Sequence, residues 1–150
     1  MDKKIALKKL MSSCSKQEKC NFDILKKLNE WGFSDSDAGK ILQQLINDKY
    51  VDDKRYAIAF ANDKIKFNFW GKIKVAYVLH QKNINQKFID YALDNINNTE
   101  YFNIIKKEIL KKIRTIKNID KYKQRSKILM FGKSRGYEID IINKILDSYF

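Results

Sequence analysis

The sequence predicts an all-α protein: three tandem three-helix units stacked in an elongated, curved array. Three observations predict it. The 150 residues include no proline and five glycines, with 44% hydrophobic residues. That is too little turn material for sandwiches, hairpin-rich barrels or Gly-loop nucleotide folds, yet enough apolar material for a core. A pattern also recurs at separations of 51 and 53 residues: Trp31-Gly32-Phe33, Lys82-Asn83-Ile84 and Arg135-Gly136-Tyr137. Finally, the apolar residues around each copy keep helical spacing, and no segment alternates as a strand does.

Residues 1–50 form the first expected unit. Its opening helix runs from about Lys3 to Ser13. A second carries Ile24 and Leu25 and breaks at Gly32, where glycine accepts the positive φ that ends a helix without a Cβ clash. Phe33 then folds back on the preceding helix, Ser34 caps the next, and Ala38, Ile41, Leu42 and Leu45 line its inner face.

Residues 51–98 repeat the plan. Asp52 or Asp53 caps a helix from about Asp53 to Phe67, with Tyr56, Ala57, Phe60 and Ile65 facing inward. Val75 and Ala76 precede the break at Asn83, the residue most tolerant of left-handed backbone after glycine. Ile84 folds back, Asn85 caps, and Ile89, Ala92, Leu93 and Ile96 follow. In residues 99–150 the first helix runs from about Thr99 to Lys117 with Phe102, Ile105, Ile109, Ile113 and Ile116 inward. Ile128 and Leu129 precede Gly136, Tyr137 folds back, and Ile142, Ile145, Leu146 and Tyr149 follow. Glu138 is the weakest cap of the three.

The net charge is +13, from 31 basic and 18 acidic residues. Twenty-seven of the bases are lysine, a bias that an AT-rich coding background also produces. Such drift does not explain the distribution, which is +3, +2 and +8 over successive fifties. From Lys106 to Arg135, twelve basic residues face only Glu108 and Asp120. A polyanion or an acidic protein surface is the natural partner for such a segment. Lys64 to Lys87 has no acidic residue and interleaves Phe67, Phe69, Trp70 and Tyr77 with its lysines. Two readings apply there: Phe67, Phe69 and Trp70 plug the space between helices with Gly71 making the turn, and the lysines meet single-stranded nucleic acid or an acidic groove.

Chemistry is sparse. His80 has no nucleophile or carboxylate at a telling distance, Asp52-Asp53 is explained by helix capping, and no phosphate loop or Ser/His/Asp set occurs. Cys14 and Cys20 have neither CxxC nor zinc-finger spacing and read as reduced, buried apolar groups. With no export signal or membrane-length apolar run, the expected location is the cytoplasm. No cofactor, metal or catalytic residue is expected, and the protein is read as a non-enzyme.

The string Tyr50-Val51-Asp52-Asp53-Lys54-Arg55-Tyr56-Ala57, with Phe60, Trp70-Gly71-Lys72 and Leu79 through Ile84, resembles the RecX family. That family carries a "DD.RYA..F" stretch, a Gly-basic turn and an "L..K.I" helix. Leu28 to Phe33 and Ser134 to Tyr137 are similar to its helix endings, and Asp63 to Lys72 is most similar to its Bacteroidetes branch. The first unit departs from the family pattern at Cys14 to Cys20 and at Trp31. The resemblance implies tandem three-helix repeats and regulation of the RecA recombinase. It implies binding in the groove of the RecA–DNA filament, which blocks filament extension or promotes disassembly and so lowers strand exchange and ATP turnover, without catalysis. The implied partners are the RecA filament and single- or double-stranded DNA, directly or through the filament, with no membrane, and the protein acting as a monomer. The expected contacts are Arg55, Lys64, Lys66, Lys72, Lys74, Arg114, Lys121, Lys123 and Arg125, through charge complementarity. The alternative reading is a stand-alone basic helical DNA-binding protein.

Overall fold

A computed structural model describes residues 1–150. It contains nine helices and no strand: α1 Lys3–Lys16, α2 Asn21–Glu30, α3 Asp35–Asn47, α4 Asp53–Lys66, α5 Lys72–Gln81, α6 Gln86–Asp94, α7 Asn98–Arg114, α8 Lys121–Arg135 and α9 Ile139–Tyr149. The all-α expectation is met. The internal repeat is visible in the backbone as well. Gly32, Asn83 and Gly136 take φ of +88°, +58° and +85°. Behind each, the next residue's N–H reaches five residues back: Phe33 to Leu28 O at 3.1 Å, Ile84 to Leu79 O at 3.1 Å, Tyr137 to Gly132 O at 2.9 Å. These are Schellman caps, closing carbonyls that the helix end leaves unpaired.

Burial repeats too. Ile24, Val75 and Ile128 are buried, while Leu25, Ala76 and Leu129 beside them are half-buried. Side-chain caps fall where the sequence puts them: Ser34 Oγ accepts from Asp37 N, Asn85 Oδ1 from Lys87 N and Asp52 Oδ1 from Arg55 N. Glu138 makes no side-chain cap.

The chain divides into two compact units. The first comprises Met1–Ala59 and Leu79–Ala92. Within it, α1 and α2 pack on α3, and Ala6, Leu10, Ile24, Leu28, Ile41 and Leu45 are buried, with Trp31 and Phe33 against them. Each such leucine or isoleucine side chain contributes on the order of 1.5–3 kcal/mol. Cys14 and Cys20 are buried free thiols, and burial pushes Cys20 up to about 12.

The second unit comprises Phe60–Val78 and Leu93–Phe150. Helices α7, α8 and α9 pack pairwise around Ile105, Ile109, Ile113, Ile128, Ile142 and Leu146.

Several elements differ from expectation. α1 runs on to Lys16, ending where Gln17 turns extended. α7 starts at Asn98, where Asn97 Oδ1 accepts from Glu100 N; Tyr101 is buried, its hydroxyl bonded to Lys72 N and Glu138, and Phe102 is half-buried. Its end comes at Arg114, where Thr115 Oγ1 takes Lys112 O and Gln124 Nε2 donates to Ile116 O and Lys117 O. Tyr149 is 51% exposed, lying at the last residue of α9 with Phe150 edge-on to its ring. No helix is long and apolar enough to cross a membrane.

Candidate functional site

Phe69, Trp70 and Gly71 follow α4 and set the geometry of the second unit. The turn is made by Phe69, at φ +58°, rather than by Gly71. Gly71 is needed for a different reason: a Cβ there would lie 2.0 Å from Gly136 O. Backbone meets backbone at this point, with Gly71 N donating to Arg135 O at 2.7 Å and Ile73 N to Gly136 O at 3.1 Å. Tyr137 Oη donates to Phe69 O at 2.6 Å. Lys72 N donates to Tyr101 Oη at 2.8 Å, and that hydroxyl donates onward to the Glu138 carboxylate. Burial first, then Glu138, pushes the Tyr101 phenol far above its ordinary range, so it stays a neutral hydroxyl.

This clasp arranges the lysines. Trp70 meets Phe60 edge-on at 6.0 Å and holds the ammonium of Lys64 at 5.0 Å and of Lys74 at 4.4 Å from its ring centroid. Lys72 lies 5.0 Å from the Tyr101 ring. The cations thus sit on aromatic faces, and those rings serve them rather than an incoming base. Lys66 is exposed. Phe67 does not plug a gap: it is 75% exposed, one residue beyond the end of α4.

Between Lys106 and Arg135 the two carboxylates are engaged internally. Glu108, 8% exposed, pairs with Arg135 at 3.3 Å and Lys111 at 3.4 Å. Asp120 caps α8 by accepting from Lys123 N. Lys121, Lys123 and Arg114 remain exposed, and Arg114 borders a cleft of about 310 Å³ with Lys106 and Tyr149. Arg125 is held by Asp147 at 2.8 Å. No cluster of histidine, cysteine or carboxylates suits a metal.

Arg55 belongs to the first unit, and the other expected contacts belong to the second. Its Nε donates to Glu18 at 2.7 Å and its Nη2 to Lys49 O and Tyr50 O. It therefore finishes the end of α3, where Lys49 takes φ +63°. Nearby, Asp53 accepts from Asn21 N at 2.8 Å, and Lys82 pairs with Asp23 at 3.1 Å and lies on the Tyr56 ring. Burial alone lowers the Lys82 ammonium, but Tyr56 and Asp23 more than reverse that. His80 is exposed in the last turn of α5.

Sequence reasoning missed Tyr122 and Met130, 82% and 72% exposed on α8. Their spacing of eight places both on one face, a signal available once α8 is bounded.

Residues 52–93 match the family model of the RecX second three-helix domain, and residues 99–146 that of the RecX third three-helix domain. Over 149 residues the chain is 31% identical to the regulatory protein RecX of Clostridium acetobutylicum, covering 97% of this chain and 69% of that one. It is 32% identical over 123 residues to the RecX of Clostridium botulinum, covering 80% of this chain and 57% of that relative's length. A crystal structure of a regulatory protein RecX superimposes with a TM-score of 0.85 at 25% identity, over 97% of this chain and 71% of the other. With the second and third three-helix domains matched, a relative 31% identical along 97% of the chain and the fold shared, the chain belongs to the RecX family.

Proposed function

We propose that this protein regulates the RecA recombinase by binding the RecA–DNA filament and restraining its extension and ATP turnover. The observation that carries this is the cationic run from Lys106 to Arg135, whose two carboxylates, Glu108 and Asp120, are both engaged within the fold. A nucleoprotein filament offers both phosphates and acidic protein surface to such a face. Relatives bear the name regulatory protein RecX, which supports a regulatory role. The proposed contacts are Lys64, Lys66, Lys72, Lys74, Arg114, Lys121 and Lys123, while Arg55 and Arg125 serve the fold first. The three-helix units 1–50, 51–98 and 99–150 are proposed as the repeating modules of a cytoplasmic monomer, and no reaction is assigned to any residue.

The test is recombinase ATPase on single-stranded DNA with purified protein added. A fall in turnover, relieved by salt, is expected. Unchanged ATPase and filament length at near-stoichiometric protein would exclude the reading. Tight DNA binding with no effect on the recombinase would favour the stand-alone DNA-binding alternative.

A further inference from the structure

One of the clefts in the cationic surface of the second unit combines apolar side chains with a basic rim. It lies between α7 and α8, encloses about 390 Å³, and is lined by Lys112, Ile116, Lys127, Met130, Phe131 and Ser134. Met130 is 72% exposed, an unusual state for a thioether side chain when burial is favourable. Methionine suits a surface that must adapt to a partner's side chain.

The cleft favours protein over nucleic acid. A strand would need a free aromatic face on which a base could stack. The one aromatic ring that lines the cleft, Phe131, is already engaged: the Arg135 guanidinium carbon lies 4.8 Å and the Lys112 ammonium 5.7 Å from its centroid, and Tyr137 meets it edge-on at 6.4 Å. What remains open is aliphatic and thioether surface, which fits a bulky apolar side chain. The rim fits carboxylates, because α8 carries six basic residues and no acidic one and Glu108 of α7 is already paired.

We propose that this cleft docks an acidic protein segment with a bulky apolar anchor. The anchor rests on Met130 and Ile116, and carboxylates on either side meet Lys112 and Lys127. The inference goes beyond the recombinase reading and stands without it, since its test contains neither recombinase nor filament.

The full chain labelled with ¹³C-methyl methionine is titrated with a synthetic peptide carrying a Leu-Phe pair between runs of glutamate. Controls are the same peptide with Gly-Ser in place of the pair, and an oligothymidylate. The anchored peptide is expected to move the Met130 methyl signal and leave those of Met1 and Met11 unmoved. Replacing the anchor, or introducing Met130→Ser or Lys127→Glu, is expected to weaken binding about tenfold or more. Both substitutions are at exposed positions, and thermal melts check that the fold is retained. Equal affinity for the anchorless peptide would overturn the proposal, as would binding that leaves Met130 unmoved. Tighter engagement of Met130 by oligothymidylate than by the anchored peptide would also overturn it, making the cleft a nucleic-acid surface.

Discussion

Alanine placed at each of three glycines separates backbone strain from close packing. At Gly32 the φ of +88° is strained for alanine, but nothing lies within 4 Å of the added Cβ. The cost is the left-handed penalty alone, about 1–2 kcal/mol. Gly136 has nearly the same φ, +85°, yet its Cβ would stand 2.3 Å from Lys74 Cβ and 2.5 Å from Lys74 N. Gly71 has no positive φ, and its Cβ would stand 2.0 Å from Gly136 O. For Gly71→Ala the two backbones must part by more than about an ångström, since ordinary carbon contacts lie near 3.5–4.0 Å. That breaks the bonds from Gly71 N to Arg135 O and from Ile73 N to Gly136 O. Two bonds, with their buried ends left unpaired, amount to about 2–4 kcal/mol.

Gly136→Ala adds its clash to the φ penalty and is expected to cost the most, above about 3 kcal/mol. In a chain of this length each kcal/mol lowers Tm by about 2–4 °C. Urea unfolding of the three variants is therefore expected to give the order Gly32→Ala, Gly71→Ala, Gly136→Ala, from mild to severe. A Gly71→Ala variant within about 0.5 kcal/mol of the parent would refute the close-contact reasoning, because surface changes produce no more than that.

Tyr101→Phe removes the hydroxyl that serves both Lys72 N and Glu138, and is expected to cost about 1–3 kcal/mol in urea unfolding. Arg55→Ala loses two carbonyl bonds at the end of α3 and a partly exposed ion pair; about 1–2 kcal/mol of stability goes, with recombinase inhibition unchanged for the fraction still folded. Burial raises the Asp53 carboxyl, with Asp52 and Asp23 adding to it, so the folded state disfavours its ionised form. Stability therefore falls as pH rises from the ordinary carboxylate range through that raised value. Asp53→Asn keeps an acceptor for Asn21 N, and is expected to raise the urea midpoint at pH 7 and to lose that gain at pH values where Asp53 is protonated in both states. Native Cys20, pushed up to about 12, is expected to resist alkylation at pH 8 until the chain unfolds.

Residues whose role is set by near neighbours were legible in the sequence. The breaks at Gly32, Asn83 and Gly136 announce themselves because glycine and asparagine tolerate φ above zero and an apolar residue follows each. Lys49 and Phe69 take the same conformation without any such signature. Lys49 O accepts from Arg55, which is itself fixed by Glu18 37 residues away, and Phe69 O accepts from the distant Tyr137 hydroxyl. The inner face of α7 was legible at Ile105, Ile109 and Ile113 but not at Tyr101, whose hydroxyl is drawn inward by Lys72 N and Glu138, 29 and 37 residues away. At the candidate surface, the excess of lysine was visible, but its allocation was not. That Arg55 and Arg125 are tied down while Lys121 and Lys123 are free depends on carboxylates 37 and 22 residues away and on a cap three residues away.

The third copy of the repeat shows how a stability device becomes a positioning device. Each copy needs a left-handed residue to end its middle helix, and at Gly32 that need is met in open space. At Gly136 the same turn is pressed against Gly71 and Lys74, so the cap that ends α8 also fixes the segment bearing Trp70, Lys72 and Lys74. Lysine side chains are long and lose much rotamer freedom on ordering. Seating Lys64 and Lys74 on Trp70 and Lys72 on Tyr101 removes part of that loss before any partner arrives. A cationic face held this way binds by charge at lower entropic cost than free lysines at equal net charge. Loosening the clasp at Gly71 should thus weaken polyanion binding although no charge is altered.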